Sequence, residues 1–144
     1  MSDKMRVLIA DDHAIVRDGL RAILEAQSDI EVVGEAADGE EAVERTKHFK
    51  PDIVIMDLTM PVMGGLEATR QIKQQSPEVK IIALTMHESD EYFFQILHAG
   101  ASGYFIKGGS STELVSALRT VWQGDVFLSP SMTKRLVGDY LDDS

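Results

Sequence analysis

The chain contains no cysteine, which excludes disulfides, thiolate metal sites and a cysteine nucleophile. Nor does it hold an apolar run near the roughly 18–20 residues that span a bilayer. The first six residues are polar and lead straight into a strand-like run, unlike a signal peptide. Basic residues are also scarce: 14 Lys and Arg against 24 Asp and Glu leave a formal net charge of −10. That balance argues against the chain holding nucleic acid by itself, since phosphate binding needs a basic face. Together these absences point to a water-soluble protein of a reducing compartment, with a cytoplasmic location expected. What is present is ordinary for a globular domain. The 144 residues are the usual size of one domain and suffice for a single core.

Short apolar runs alternate with longer amphipathic ones. The short runs are Val7-Leu8-Ile9-Ala10, residues 31–36, Ile53-Val54-Ile55-Met56, Ile81-Ile82-Ala83-Leu84 and Tyr104-Phe105-Ile106. Most are rich in branched residues and lack apolar/polar alternation, as in parallel strands buried on both faces. Between them, Val16, Leu20, Ile23 and Leu24 form one helical stripe, and residues 64–75 read as a further helix ending before Pro77. Asp38 with Glu41 and Ser110 with Glu113 read as capping boxes, and Pro51 marks a helix end. Ser89-Asp90-Glu91 has the character of a fourth helix start. A strand–helix pair thus recurs five times. The expected fold is a doubly wound α/β sandwich with a five-stranded parallel sheet in the flavodoxin-like order 2-1-3-4-5, helices on both faces. Residues 1–124 would form this domain. Residues 125–144 would form a linker and an extra helix starting near Pro130.

Open α/β sheets bind ligands at the carboxyl ends of their strands, beside the point where strand order reverses. The first strand ends in Asp11-Asp12, the third in Asp57, the fourth in Thr85 and the fifth in Lys107. Taken singly, each has a dull reading: helix cap, strand former or solvated surface cation. All at once on one rim, they read as a site. Three carboxylates in one crevice repel one another, and a hard divalent cation such as Mg²⁺ resolves the repulsion while leaving room for phosphate oxygens. A carboxylate can itself be the nucleophile in phosphoryl transfer, with Lys107 and the Thr85 hydroxyl stabilising charge on the transferring group.

The motifs Ile9-Ala10-Asp11-Asp12-His13, then residues 56–65 beginning Met56-Asp57-Leu58-Thr59-Met60-Pro61, then Ala83-Leu84-Thr85, then residues 99–107 ending Tyr104-Phe105-Ile106-Lys107 resemble the receiver domain of two-component response regulators. The details are similar to its NarL/FixJ (LuxR-type) branch, with Leu84-Thr85-Met86-His87-Glu88 after the fourth strand and Gly124-Asp125-Val126-Phe127-Leu128-Ser129-Pro130 near the end. The resemblance implies that Asp57 accepts a phosphoryl group from a histidine kinase. It implies Mg²⁺ (or Mn²⁺) held by Asp12, by Asp11 largely through water, by Asp57 and by the Thr59 backbone carbonyl. Lys107 would pair with the phosphoryl oxygens, Thr85 and Tyr104 would be the switch residues, and Thr59 and His87 would tune the lifetime of the acyl phosphate. Gly108-Gly109 departs from the Lys-Pro often found there, so no cis bond is expected. Met86 stands where a small residue is common and is expected to narrow access to Asp57. His13 is taken as a structural loop residue, and for Tyr104 the plain alternative is a core aromatic with a wet hydroxyl.

This reading is of a signalling switch, not a turnover enzyme. It would control transcription through a helix-turn-helix DNA-binding domain outside this chain, with no membrane partner. A stand-alone receiver acting by protein binding is the alternative. A flavodoxin-like electron carrier would need a Ser/Thr/Gly phosphate loop where Asp11-Asp12-His13 stands, and an aspartyl-phosphate phosphatase would need an acid at Thr59. Finally, Met132, Leu136, Val137, Tyr140 and Leu141 form an apolar stripe, a candidate surface for a homodimer formed on activation.

Overall fold

The computed structural model describes residues 3–86 and 90–142. Five strands, β1 (Met5–Ala10), β2 (Ile30–Ala36), β3 (Ile53–Asp57), β4 (Lys80–Thr85) and β5 (Gly103–Ile106), alternate with helices α1 (Ala14–Glu25), α2 (Gly39–Phe49), α3 (Gly65–Gln75), α4 (Asp90–His98) and α5 (Ser111–Trp122). All strand pairings are parallel, and the sheet order is β2-β1-β3-β4-β5. The five-stranded doubly wound sheet therefore stands as the sequence implied.

The strands lack alternation because both faces of the sheet are covered. On one face Leu8, Ala10, Val54, Met56, Ile81, Ala83 and Tyr104 pack with Ala42, Ala68, Ile72, Phe93 and Ile96 of α2, α3 and α4. On the other, Val7, Ile9, Ile53, Ile55, Ile82, Leu84 and Phe105 pack with Leu20 and Leu24 of α1 and with Leu114, Leu118 and Val121 of α5. Adjacent strand residues thus serve opposite layers, as the period of two requires.

The local signals act as read. The Asp38 side chain accepts from the Glu41 N–H at 2.8 Å, and the Glu41 carboxylate reaches back to the Ala37 N–H at 2.9 Å. Ser110 caps α5 through the Glu113 N–H. α2 ends at Lys50 in the left-handed region (φ 49°), immediately before Pro51. Ser89 lies outside the described residues, and the fourth helix is described from Asp90.

The stretch read as a linker is built into the domain. Tyr104 N–H donates to the Phe127 carbonyl and Phe127 N–H to that of Ser102, so Phe127 flanks β5 as a one-residue bridge. A last helix, α6 (Pro130–Asp142), follows, with the Ser129 hydroxyl accepting from the Met132 N–H. Met132 is fully buried in the layer containing Phe93 and Tyr104. The Arg135 guanidinium stacks on Phe93, 5.5 Å from the ring centre.

Candidate functional site

The carboxyl ends of β1 and β3 lie side by side where the strand order reverses, and the side chain of Lys107, just past the edge strand β5, reaches them past the end of β4. Asp57 ends β3 and is 3% exposed; Asp11, just past β1, is 0% exposed. Lys107 follows β5, and its Nζ lies 2.9 Å from Asp11 Oδ2 and 3.2 Å from Asp57 Oδ2. Asp11 and Asp57, from two neighbouring strands, are thereby joined by one ammonium. Asp12 and His13 complete the group: one ligating atom each from Asp11, Asp12, His13 and Asp57 falls within 4.8 Å of the others.

The electrostatics follow from burial. Desolvation, then the nearby Asp11 charge, push the Asp57 carboxyl above its ordinary pKa, and Lys107 and the Thr59 N–H only partly offset them. Burial pulls Lys107 down, but the two carboxylates together outweigh it and hold the ammonium above its usual range. Three clustered carboxylates are thus balanced by one lysine, which contacts Asp11 and Asp57. Asp12 Oδ1 is sealed from solvent and accepts no hydrogen bond among the described residues. Buried carboxylate oxygens in this state suit a hard divalent cation, which supplies the missing positive charge.

Local structure fixes the loops. The His13 N–H donates to Asp11 Oδ1 at 2.8 Å, an Asx turn that folds the chain back over the acidic pair. From α1, Arg17 Nη1 donates to the Asp11 carbonyl at 2.6 Å while its Nε holds Glu35 at 3.0 Å, and Arg21 holds the other Glu35 oxygen at 2.7 Å. Below Asp57, a Cβ at Gly65 would lie 2.2 Å from the Asp57 carbonyl oxygen, so the close start of α3 requires glycine there.

The remaining predicted residues are distributed as follows. Thr85 ends β4, the strand beside β3, and the Lys107 N–H donates to its carbonyl at 2.6 Å. The Thr59 N–H donates to Asp57 Oδ1 at 3.3 Å, and its side chain is exposed. Tyr104 is 1% exposed and edge-on to Phe93, with 5.2 Å between ring centres. Its hydroxyl is sealed from solvent, which corrects the wet-hydroxyl alternative. His87 lies outside the described residues. Met86 is 63% exposed and lines a groove with Val16, Leu84 and Lys107. The described peptide bonds are all trans, and Gly108 takes φ 95° after Lys107. Of the apolar stripe, Met132 is buried in its own chain and leaves the candidate dimer surface, because its side chain fills the layer beside Phe93. Leu136, Val137, Tyr140 and Leu141 remain exposed.

Sequence reasoning gave His13 to the loop and did not single out Arg17 or Glu35. A lone histidine carries no spacing signal, and the Arg17–Glu35 pair joins a helix to a strand 18 residues away.

Fold and site together define a flavodoxin-like α/β domain with an acidic rim site closed by one lysine. Residues 7–119 match the family model of the response regulator receiver domain. The chain is 45% identical over 141 residues to the oxygen regulatory protein NreC of Staphylococcus carnosus (strain TM300), covering 97% of this chain and 65% of that protein. It therefore spans about two thirds of the length of that relative. Among solved structures, a LuxR-family two-component response regulator from Aurantimonas sp. SI85-9A1 superposes with a TM-score of 0.89 at 38% identity, covering 96% of this chain and 99% of that one. The isolated receiver domain of RcsB from Salmonella enterica serovar Typhimurium, solved in the presence of the phosphomimetic BeF₃⁻, gives 0.83 at 32% identity, covering 91% and 97%. The chain belongs to the response regulator receiver family, in its LuxR-type branch. Members of this family are signalling switches, and no described helix is long and apolar enough to cross a membrane.

Proposed function

We propose that the chain is the phosphorylatable switch of a two-component transcription regulator, with Asp57 as the acceptor. The carrying observation is the buried Asp57–Lys107–Asp11 contact, at 3.2 and 2.9 Å, on the rim where strand order reverses. An Asp57 carboxylate oxygen attacks the phosphorus of a kinase phosphohistidine. The O–P bond forms as the P–N bond breaks, and the imidazole leaves with its electron pair. Lys107 holds the acceptor carboxylate in place and pairs with the phosphoryl oxygens as they arrive. Asp11, Asp12, Asp57 and the Thr59 carbonyl would hold Mg²⁺, or Mn²⁺ in its place, which neutralises charge on the transferring group.

The acyl phosphate then draws the Thr85 hydroxyl toward it, and Tyr104, inward in this structure, reports the change to the α4–β5–α5 surface. Thr59 and His87 set how readily water reaches the phosphoryl group. Residues 1–124 supply the five strand–helix pairs of the receiver, and 125–144, which packs back onto them through Phe127 and Met132, is the segment leading toward a DNA-binding module, as the LuxR-family relationship suggests. Phosphorylation would favour a homodimer through Leu136, Val137, Tyr140 and Leu141, in a cytoplasmic protein served by a sensor histidine kinase.

Intact-mass analysis after acetyl phosphate and Mg²⁺ tests the acceptor, and sedimentation of the same sample tests the dimer. One added phosphoryl group per chain is expected, absent in Asp57→Asn, with a rise in mass on labelling. Undiminished labelling of Asp57→Asn refutes the acceptor assignment. An unchanged sedimentation mass refutes the dimer alone.

A further inference from the structure

We propose that His13 makes the acidic rim a site for borderline transition-metal ions such as Zn²⁺ as well as for magnesium, by placing an imidazole nitrogen among the carboxylate oxygens. The inference rests on the receiver reading only in taking Asp11 and Asp12 to face a cation.

His13 immediately precedes α1, the position where Ser, Thr, Asp and Asn cap helices, yet its side chain makes no capping hydrogen bond. It does not pack in the core either, since the side chain is 66% exposed. The Asx turn to Asp11 instead carries the ring back over the acidic pair. Its Nδ1 lies 3.1 Å from Asp12 Oδ1 and 3.3 Å from Asp11 Oδ1. The contact to Asp11 is a ring–carboxylate hydrogen bond, and two ligand atoms bound to one ion at about 2.0–2.2 Å also stand roughly 3.0–3.4 Å apart, so a cation can take the place of the ring proton between the same atoms without rearrangement.

The oxygens also divide by partner. Lys107 takes Oδ2 of Asp11 and Oδ2 of Asp57, which leaves Oδ1 of Asp11 and Oδ1 of Asp12 on the His13 side. Asp12 Oδ1 is sealed from solvent and accepts no hydrogen bond among the described residues, although the imidazole is beside it. A cation between ring and carboxylates would satisfy both.

Ligand type gives the selectivity. Mg²⁺ takes oxygen donors and gains little from imidazole, whereas imidazole is a preferred ligand of Zn²⁺, Ni²⁺ and Cu²⁺. The residue that would barely affect magnesium therefore strengthens a competitor for the same carboxylates.

Calorimetric titration of the full chain with Mg²⁺ and with Zn²⁺ compares wild type with His13→Ala and Asp12→Ala. His13→Ala should weaken Zn²⁺ binding at least ~tenfold and leave Mg²⁺ within about twofold. Asp12→Ala should weaken both. In parallel, the ¹⁵N resonance of one imidazole Nδ1 should shift on Zn²⁺ addition, and that resonance should be missing from His13→Ala. An unchanged Zn²⁺ affinity in His13→Ala, an equal loss for the two metals, or Zn²⁺ binding that survives Asp12→Ala overturns the proposal. Failure of wild type to bind Mg²⁺ while Zn²⁺ binding still depends on His13 would sink the magnesium-switch reading and leave this one standing.

Discussion

Glu35 stands on β2 between two arginines of α1, and its protonation sets how firmly the acidic loop is held. Burial alone would raise its pKa, but hydrogen bonds and charge from Arg21 and Arg17 outweigh the desolvation and hold it below the ordinary value of 4.5. A carboxyl depressed on folding contributes stability that is present above its unfolded pKa and is lost as pH falls through the folded one. Glu35→Gln should therefore cost roughly 0.5–1 kcal/mol at neutral pH, the range of a partly exposed ion-pair network. The difference from wild type should shrink to nothing in acid, below the lowered pKa. Melting temperatures of both proteins from neutral to acid pH check this; a gap that persists or widens in acid contradicts it. At Asp57 the balance runs the other way: burial and the adjacent Asp11 disfavour the charged form, and Lys107 restores part of it.

At the scale of elements, caps and turn residues do most of the placing, and one loop is held against its preference. Between β3 and α3, Val62 sits at φ 67° with its side chain 77% exposed. The Met63 N–H donates to the Pro61 carbonyl at 2.7 Å, so Val62 is the centre of a γ-turn of positive φ, a rare and strained conformation that costs an L-residue roughly 1–3 kcal/mol and suits a β-branched side chain badly. Glycine adopts positive φ without a Cβ clash, and its greater unfolded-state entropy offsets part of the relief. Val62→Gly should therefore raise stability by roughly 0.5–1 kcal/mol, seen as a higher urea midpoint with an unchanged slope. A lower midpoint would show that the valine makes a contact outweighing its backbone cost.

Over the whole molecule, the final helix is part of the receiver's core. Met132 is fully buried with Phe93 and Tyr104, and Phe127 pairs with β5. Met132→Ala should cost about 2–4 kcal/mol, as for other buried methionine truncations, and unfolding should stay a single transition. An unchanged denaturant midpoint would mean that α6 rides on the surface. Tyr104, Phe93 and Met132 share one buried layer, which ties α6 to β5 and α4.

The sequence by itself determined the five strand–helix pairs, since branched apolar runs without alternation can only be covered on both faces, and it determined the capped starts of α2 and α5 because those signals are local. It also named Asp11, Asp12, Asp57 and Lys107, since strand ends on an open parallel sheet must share a rim. Tertiary structure alone decided the rest. The His13 ring is carried by a local Asx turn, but its approach to Asp12 and the packing of both beside Asp57 arise only when β1 and β3 are side by side. Arg17 and Glu35 meet only after β2 lies beside β1. Whether Met132 joined an exposed stripe or the core depended on Phe93 and Tyr104, which sequence spacing leaves far apart and folding brings beneath it.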